Sequence, residues 1–98
     1  MPPTRATDQE IDASLTALPG WTRVAGRPAI AKSYKWADFS EAWAFMSRVA
    51  LLAEKMDHHP EWLNVWNRVD ITLTTHDAGG VSLLDLTMAA GIEKIGAR

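Results

Sequence analysis

The stretch Phe39–Met56 constrains the fold of this chain more than any other, because its pattern fits only a long amphipathic helix. Its apolar residues recur at the i, i+3, i+4, i+7 spacing that places them on one helical face. Asp38 precedes the stretch as a capping residue. Pro60 prevents any extension, since the residue before a proline avoids helical backbone angles. We therefore predict a helix over Phe39–Met56, followed by a turn or irregular loop over residues 57–60.

The segments before this helix indicate a shorter helix and a hairpin. Asp8 can cap a first helix that runs to about residue 18, where Pro19-Gly20 stops it. Residues 21–24 and 30–36 flank a loop that contains glycine and proline, which is typical of two paired strands. The segment 1–7 is predicted to be a disordered lead.

The segments after the long helix indicate strands and a final helix. Residues 65–75 alternate in polarity, which predicts one long strand with a buried face. Residues 77–80 form a turn, and Val81 begins a short strand. Ser82 and Asp85 have the spacing of a capping box, which predicts a last helix over residues 83–95.

This order of elements predicts an α+β fold. We expect a four-stranded antiparallel sheet with helices packed on one face, in the order α-β-β-α-β-β-α. The 98 residues make one domain over 1–98. With no cysteine, no disulfide can support so small a core. Because the sheet should also have exposed edges, we expect a homo-oligomer, either a dimer or a tetramer.

Charge and hydropathy exclude several classes of protein. The formal net charge is −2 with interspersed signs, whereas nucleic-acid binders usually carry a basic face. No apolar run approaches the ~20 residues that would span a membrane, and the N-terminal residues lack the apolar core of a signal peptide. We expect a cytoplasmic protein with no nucleic-acid or membrane partner.

The three histidines are the main candidates for chemistry. His58 and His59 are adjacent in the loop after the long helix, and His76 ends the predicted long strand. An unperturbed imidazole titrates at about 6.5, so three that share a pocket could perform general acid–base catalysis. Two alternatives remain open. The histidines could be solvated surface groups, or they could join Glu54 or Asp85 in a metal site, although adjacent histidines are poorly spaced for chelation.

Four further side chains have a structural and a functional interpretation. Trp62 and Trp66 flank the histidine loop and could wall a pocket for a flat ring, or pack in the core or an interface. Glu54 lies one helical turn before the histidines and could be a solvated helix residue. Capping alone would explain Asp85.

Taken together, these residues resemble the sequence signature of a known protein family. The run Glu54-x-x-x-His58-His59-Pro60-x-Trp62-x-x-x-Trp66, followed by His76 and Asp85, resembles the signature of the pterin-4a-carbinolamine dehydratase family. Gly20-Trp21, residues 34–39 and Ile92-Glu93 agree with it, so that the resemblance spans about residues 11–95. Asp70 and Trp36 depart from the family pattern, where some members have histidine and phenylalanine, respectively.

The resemblance implies a reaction and its catalytic groups. Family members dehydrate a 4a-hydroxytetrahydropterin, such as 4a-hydroxytetrahydrobiopterin, to the quinonoid dihydropterin in tetrahydrobiopterin recycling. The reaction needs neither a metal nor an organic cofactor. The resemblance implies proton transfer by His58 and His76. It implies that His59 binds and orients the substrate.

The resemblance also implies a substrate-binding set and a cellular setting. Asp57, Thr74, Thr75 and Asp77 would bind the pterin edge beside Trp62, and Glu54 and Asp85 would support the imidazoles. An aromatic amino-acid hydroxylase would supply the substrate. Some animal members are also dimerisation cofactors of a homeodomain transcription factor, so an interaction module is the alternative function. A role in molybdopterin-related metabolism, which uses related folds, is a third possibility.

Overall fold

A computed structural model describes residues 3–97 of the chain. Its elements are α1 (Asp8–Thr16), β1 (Thr22–Arg23), β2 (Ile30–Lys35), α2 (Phe39–Met56), β3 (Glu61–Val65), β4 (Arg68–Leu73), a short 3-10 helix (His76–Ala78) and α3 (Leu83–Gly96). None of the helices in this described part combines the length and apolarity needed to cross a membrane.

The four strands form one antiparallel sheet in the order β1-β2-β4-β3. The central strand β4 pairs with β2 from Ile30↔Leu73 to Lys35↔Arg68, and with β3 from Glu61↔Thr72 to Val65↔Arg68. The α+β fold, the antiparallel four-stranded sheet and the order α-β-β-α-β-β-α are therefore as predicted. β3 lies at one edge of the sheet, with its outer backbone groups unpaired by any described strand.

The core lies between this sheet and the two longer helices. Val69, Ile71 and Leu73 alternate along β4 and are at most 1% exposed, which follows from the period of two in a strand. Fully buried side chains from both helices belong to the same hydrophobic cluster, namely Ala42 and Val49 of α2 and Met88, Ala89 and Ile92 of α3. The helices thus cover the face of the sheet that carries the apolar residues of β4.

Both ends of α2 lie where the sequence predicts them. Asp38 is the N-cap, and its Oδ1 accepts a hydrogen bond from the Glu41 amide at 2.8 Å. The helix ends at Met56, and Asp57 follows as a C-cap in the left-handed conformation with φ 49°. The predicted loop over 57–60 is also present.

The prediction of one long strand over residues 65–75 is wrong. The chain forms two strands, β3 and β4, which are joined by a two-residue turn at Trp66-Asn67. The amide of Asn64 stabilises this turn by donating to the carbonyls of Trp66 and Arg68 at 3.1 and 2.8 Å. Val65 is consequently 54% exposed instead of sharing the buried face of β4.

The predicted short strand at Val81 is also wrong, because the four strands of the sheet are complete without it. Residues around it form only isolated bridges, Thr75↔Gly80 and Arg5↔Ser82. The predicted capping box of α3 is confirmed. The Ser82 amide donates to the Asp85 carboxylate at 2.9 Å, and α3 begins at Leu83.

The N-terminal residues differ from the prediction in two ways. The N-cap of α1 is Thr7, not Asp8, because Thr7 and Glu10 form a reciprocal capping box. Residues 3–6, here called the N-terminal strap, lie beside residues 81–83. The Ala6 amide donates to the Val81 carbonyl at 2.9 Å. The prediction of a disordered lead is therefore wrong from residue 4 onward, while Met1 and Pro2 lie outside the described residues.

A polar cluster fastens α3 to the sheet away from the histidines. Oε1 of Glu93 accepts hydrogen bonds from Lys32, Tyr34 and the indole of Trp21. Partial burial opposes ionisation of Glu93, but the hydrogen bonds from Lys32 and Tyr34 outweigh it and hold the pKa of this carboxyl below its ordinary value. Burial and the bond to Glu93 raise the pKa of Tyr34 far above its usual range.

Candidate active site

One open pocket lies where the end of α2, the end of β4 and the start of α3 meet. Its volume is about 570 Å³. The lining residues are Pro3, Met56, Asp57, His58, His59, Thr74, Thr75, His76, Asp77 and Leu84. All three histidines of the chain therefore line the same pocket.

The end of α2 directs His58 towards this pocket. The left-handed backbone at Asp57 reverses the chain, and the His58 amide donates back to the carbonyl of Ala53 at 3.1 Å while the Asp57 amide donates to Glu54 at 3.3 Å. This pair of bonds is the Schellman arrangement, which ends many helices. Aspartate tolerates the left-handed region better than most residues.

His58 forms a pair with a buried carboxylate. Its Nε2 lies 2.5 Å from Oδ1 of Asp85. The Asp85 side chain is fully buried and that of His58 is 11% exposed. A carboxylate can only accept a hydrogen bond, so with Asp85 as carboxylate, Nε2 of His58 is the donor and Nδ1 of the neutral ring carries the lone pair. The arrangement therefore leaves Nδ1 free to accept a proton.

The other oxygen of Asp85 is held by the start of α3. Its Oδ2 accepts from Oγ1 of Thr75 at 2.7 Å and from the Ser82 amide at 2.9 Å. The hydroxyls of Thr75 and Ser82 also lie 2.7 Å apart and share a hydrogen bond. Hydrogen bonds from Thr75 and Ser82 therefore hold the carboxylate in place independently of His58. Asp85 consequently serves both as a helix cap and as the partner of an imidazole.

His59 and His76 have different surroundings from His58. Nε2 of His59 lies 2.7 Å from Oε1 of Glu54, and both side chains are exposed, at 56% and 78%. His76 begins the short 3-10 helix instead of ending a strand, because β4 stops at Leu73. Its imidazole has no hydrogen bond or ion pair with any part of residues 3–97. The site thus holds one partly buried imidazole, that of His58, and two exposed ones, those of His59 and His76.

Most of the residues singled out in the sequence meet in this site. Asp57, Thr74, Thr75 and Asp77 line the pocket with the histidines. Glu54 and Asp85 each bond to one imidazole. The Oγ1 of Thr74, however, donates to the carbonyl of Pro28 at 2.8 Å and so is partly engaged. Asp70 and Trp36, the two departures from the family pattern, do not line the pocket.

Trp62 does not occupy the place expected for it. It lies on β3 opposite Ile71 and packs, partly buried, against the hydrophobic core. Because successive side chains of a strand alternate between faces, Trp62 shares the inner face of the sheet instead of lining the pocket. This position matches the structural interpretation of Trp62, which is packing in the core. Trp66 is 64% exposed in the β3–β4 turn and also does not line the pocket.

Sequence reasoning missed the apolar side of the pocket. Pro3, Met56 and Leu84 form it. Met56 ends α2 and Leu84 follows the capping box of α3, so both could have been placed near the histidines. Pro3 gave no signal, because it falls in the segment that the sequence marks as disordered.

The carboxylates of the site are distributed among the histidines and not gathered into one cluster. Within residues 3–97, no group of three or more histidine, cysteine, aspartate or glutamate side chains is arranged to hold a metal ion. Glu54 engages His59 and Asp85 engages His58. This arrangement suits proton transfer at a bound substrate.

Comparisons with known proteins identify a family model and several relatives that are similar to this chain. The family model described as pterin 4 alpha carbinolamine dehydratase matches residues 4–95. A relative from Rhizorhabdus wittichii is 62% identical over 89 residues, which are 91% of this chain and 92% of the relative. One from Rhodopseudomonas palustris is 52% identical over 94 residues, which are 96% and 93% of the two chains. Both relatives carry the name pterin-4-alpha-carbinolamine dehydratase provisionally.

A solved structure is also similar over almost the whole chain. The crystal structure of a protein from Brucella melitensis, described as a transcriptional coactivator/pterin dehydratase, superposes with a TM-score of 0.92 at 51% sequence identity. The match covers 96% of this chain and all of that one. On the family match and the identity to these relatives, this chain belongs to the pterin-4a-carbinolamine dehydratase family.

Proposed function

We propose that this protein dehydrates 4a-hydroxytetrahydrobiopterin or a closely similar pterin to the quinonoid dihydropterin by histidine acid–base catalysis. The observation that carries the proposal is the convergence of His58, paired with the buried Asp85, and of His76 on one pocket. Membership of the family supports the same reaction.

The proposed reaction moves two protons at the pterin. Nδ1 of His58 accepts the proton of N5, and the electrons of the N5–H bond form the double bond between N5 and C4a. The bond between C4a and oxygen breaks, and a protonated His76 gives its proton to the departing oxygen, which leaves as water. The carboxylate of Asp85 stabilises the positive charge that forms on His58.

The remaining residues of the pocket would bind and orient the substrate. The aminopyrimidinone edge of a pterin requires hydrogen-bond donors and acceptors in a fixed row, and Asp57, Thr74, Thr75 and Asp77 offer such groups. His59, oriented by Glu54, would hold the ring in place. In the cell, the substrate would come from an aromatic amino-acid hydroxylase in the cytoplasm, within tetrahydrobiopterin recycling.

Steady-state kinetics on folded variants tests the proposal. We expect His58→Ala and His76→Ala each to lower kcat/KM by at least about 10²-fold, the usual contribution of a positioned acid or base. His59→Ala should act mainly on KM. The double variant of His58 and His76 should lose less than the product of the single losses, because both act on one substrate.

The assay needs one correction and one control. The uncatalysed loss of water from the substrate must be subtracted, and circular dichroism must show that each variant is folded. If His58→Ala and His76→Ala both retained the kcat/KM of the wild type, the acid–base assignment would be wrong. The protein would then be better explained as an interaction module.

Exposed apolar surface supports the proposal that the protein is a homo-oligomer. Leu63 and Val65 of the edge strand β3 are 55% and 54% exposed, and Trp43 and Leu51 on α2 are 58% and 73% exposed. An unpaired edge and exposed apolar groups both favour association with another chain. The same surface supports the alternative function of a coactivator module. The Brucella melitensis protein is itself described as a transcriptional coactivator.

A further inference from the structure

The N-terminal strap is fastened to the backbone at the start of α3. The Leu83 amide donates to the carbonyl of Thr4 at 3.0 Å, and the Ala6 amide donates to the carbonyl of Val81 at 2.9 Å. Between these two bonds, Arg5 and Ser82 form an antiparallel bridge. Backbone hydrogen bonds therefore hold the strap on both sides of Ser82, and Ala6 is only 6% exposed.

The side chain of Arg5 adds a second point of attachment. A methyl group built on Gly79 would lie 3.7 Å from Nη1 of Arg5, and one built on Gly80 would lie 3.8 Å from its Nε. The guanidinium thus lies against the turn that directly follows the 3-10 helix of His76. Gly79 has a φ of 74°, which a larger residue would rarely adopt. The strap consequently contacts the backbone that follows His76 as well as the start of α3.

These attachments place Pro3 at the pocket. Pro3 lines it together with Met56 and Leu84, whereas the seven other lining residues are polar or charged. Met56 and Leu84 come from α2 and α3, so that the apolar side of the pocket combines three distant parts of the chain. Without the strap, this side of the pocket would lose one of its three side chains and open to solvent.

We propose that the N-terminal strap is a wall of the substrate site, in which Pro3 makes apolar contact with the bound pterin. The carbonyl of Thr4 and the side chain of Arg5 are positioning groups that hold Pro3 in place. This inference rests on the proposed function. The strap contributes to substrate binding but not to proton transfer, because the hydrogen bonds that hold Asp85 come from Thr75 and Ser82 and not from the strap.

A matched pair of variants isolates the attachment of the strap. Leu83→Pro removes the amide that donates to Thr4, while proline suits the first position of a helix. The preceding Ser82 already has the extended backbone that proline requires, with φ −109° and ψ 172°. Leu83→Ala keeps the amide and changes only a side chain that is 41% exposed. A third variant, Pro3→Gly, removes the wall residue itself.

The expected results separate binding from catalysis. Leu83→Pro and Pro3→Gly should each raise KM by about fivefold, the equivalent of one hydrogen bond or a small apolar contact, with kcat within about twofold of the wild type. The Kd for 7,8-dihydrobiopterin, measured by calorimetry, should rise by the same factor. Leu83→Ala should match the wild type. A merely structural strap would change the melting temperature but leave KM and Kd unchanged.

The outcomes distinguish failure of the strap from failure of the proposed function. If the wild type is an active dehydratase and the variants keep its KM and Kd, the role of the strap is refuted and the proposed function stands. If the wild type binds the dihydropterin without dehydratase activity, and the variants weaken that binding, the strap is supported and the catalytic proposal fails. A wild type with neither binding nor activity refutes both.

Discussion

Replacement of Asp85 by asparagine separates its two roles, because the substitution keeps the shape of the side chain. The amide oxygen can take the place of Oδ2 and still accept from Thr75 and from the Ser82 amide. The helix loses one negative charge near its N-terminus, which contributes about 0.3–1 kcal/mol. We therefore expect the free energy of unfolding of Asp85→Asn to fall by only about 1 kcal/mol.

The effect on catalysis should be much larger. The amide nitrogen would take the place of Oδ1 and donate to Nε2 of His58, which now lies 2.5 Å from a carboxylate oxygen. Nε2 must then be the acceptor, so the proton of the neutral ring moves to Nδ1, where the proposed base should have its lone pair. We expect kcat/KM to fall by about 10²–10⁴-fold, the range for loss of a general base.

Two measurements test this reasoning. Nitrogen-15 chemical shifts of the His58 ring should report the exchange of tautomer, and initial rates should report kcat/KM. Asp85→Ala is a poor substitute, because it removes the acceptor shared by Thr75, the Ser82 amide and His58 and would cost roughly 3–5 kcal/mol, enough to unfold a marginal domain. A folded Asp85→Asn protein with the exchanged tautomer and a kcat/KM within threefold of the wild type would refute the role of His58 as base.

Three further predictions concern stability, metal and association. Glu93→Gln should lower the free energy of unfolding by about 1–2 kcal/mol at pH 7. Because the folded pKa of Glu93 is lowered, this difference should be present above its ordinary pKa of 4.5 and shrink as the pH falls below it. An equal difference between variant and wild type by urea unfolding at pH 7 and at pH 3 would contradict the assignment. Dialysis against a strong chelator should leave dehydratase activity unchanged, and a loss that zinc restores would contradict metal-free catalysis. Sedimentation equilibrium at micromolar concentration should show a dimer or tetramer, and Leu63→Lys on the exposed edge strand should shift it towards monomer if β3 forms the contact.

The sequence predicts best those elements whose signals are local. Asp38 and Pro60 bound α2, and Ser82 with Asp85 marks the start of α3, because caps and prolines act on the adjacent backbone. The histidines could be assigned to one site only through the resemblance to a family. Periodicity alone does not indicate that a helix end and a strand end lie side by side.

The β3–β4 hairpin shows why other elements escaped prediction. Its turn places Trp66 at φ 50°. Glycine, asparagine or aspartate usually occupies such a position and marks the turn in a sequence, whereas tryptophan does not. Val65 and Val69 also continue the alternation of apolar and polar residues across the turn. Trp62 was misplaced for the same reason, since its side of the sheet depends on a strand that the pattern did not reveal. The strap was missed because its partners are distant in sequence and are backbone groups.

The pairing of the N-terminal strap with the start of α3 has a consequence for synthesis of the protein on the ribosome. The strap leaves the exit tunnel before α2 and β4, whereas Val81 and Leu83, to which it bonds, are translated after both of these elements. Contacts between such distant residues form only after the intervening chain has closed a long loop. The nascent chain can build α2 before these partners emerge, but the pocket is completed only once the start of α3 has left the tunnel. Prematurely terminated chains that lack α3 would therefore have no complete site.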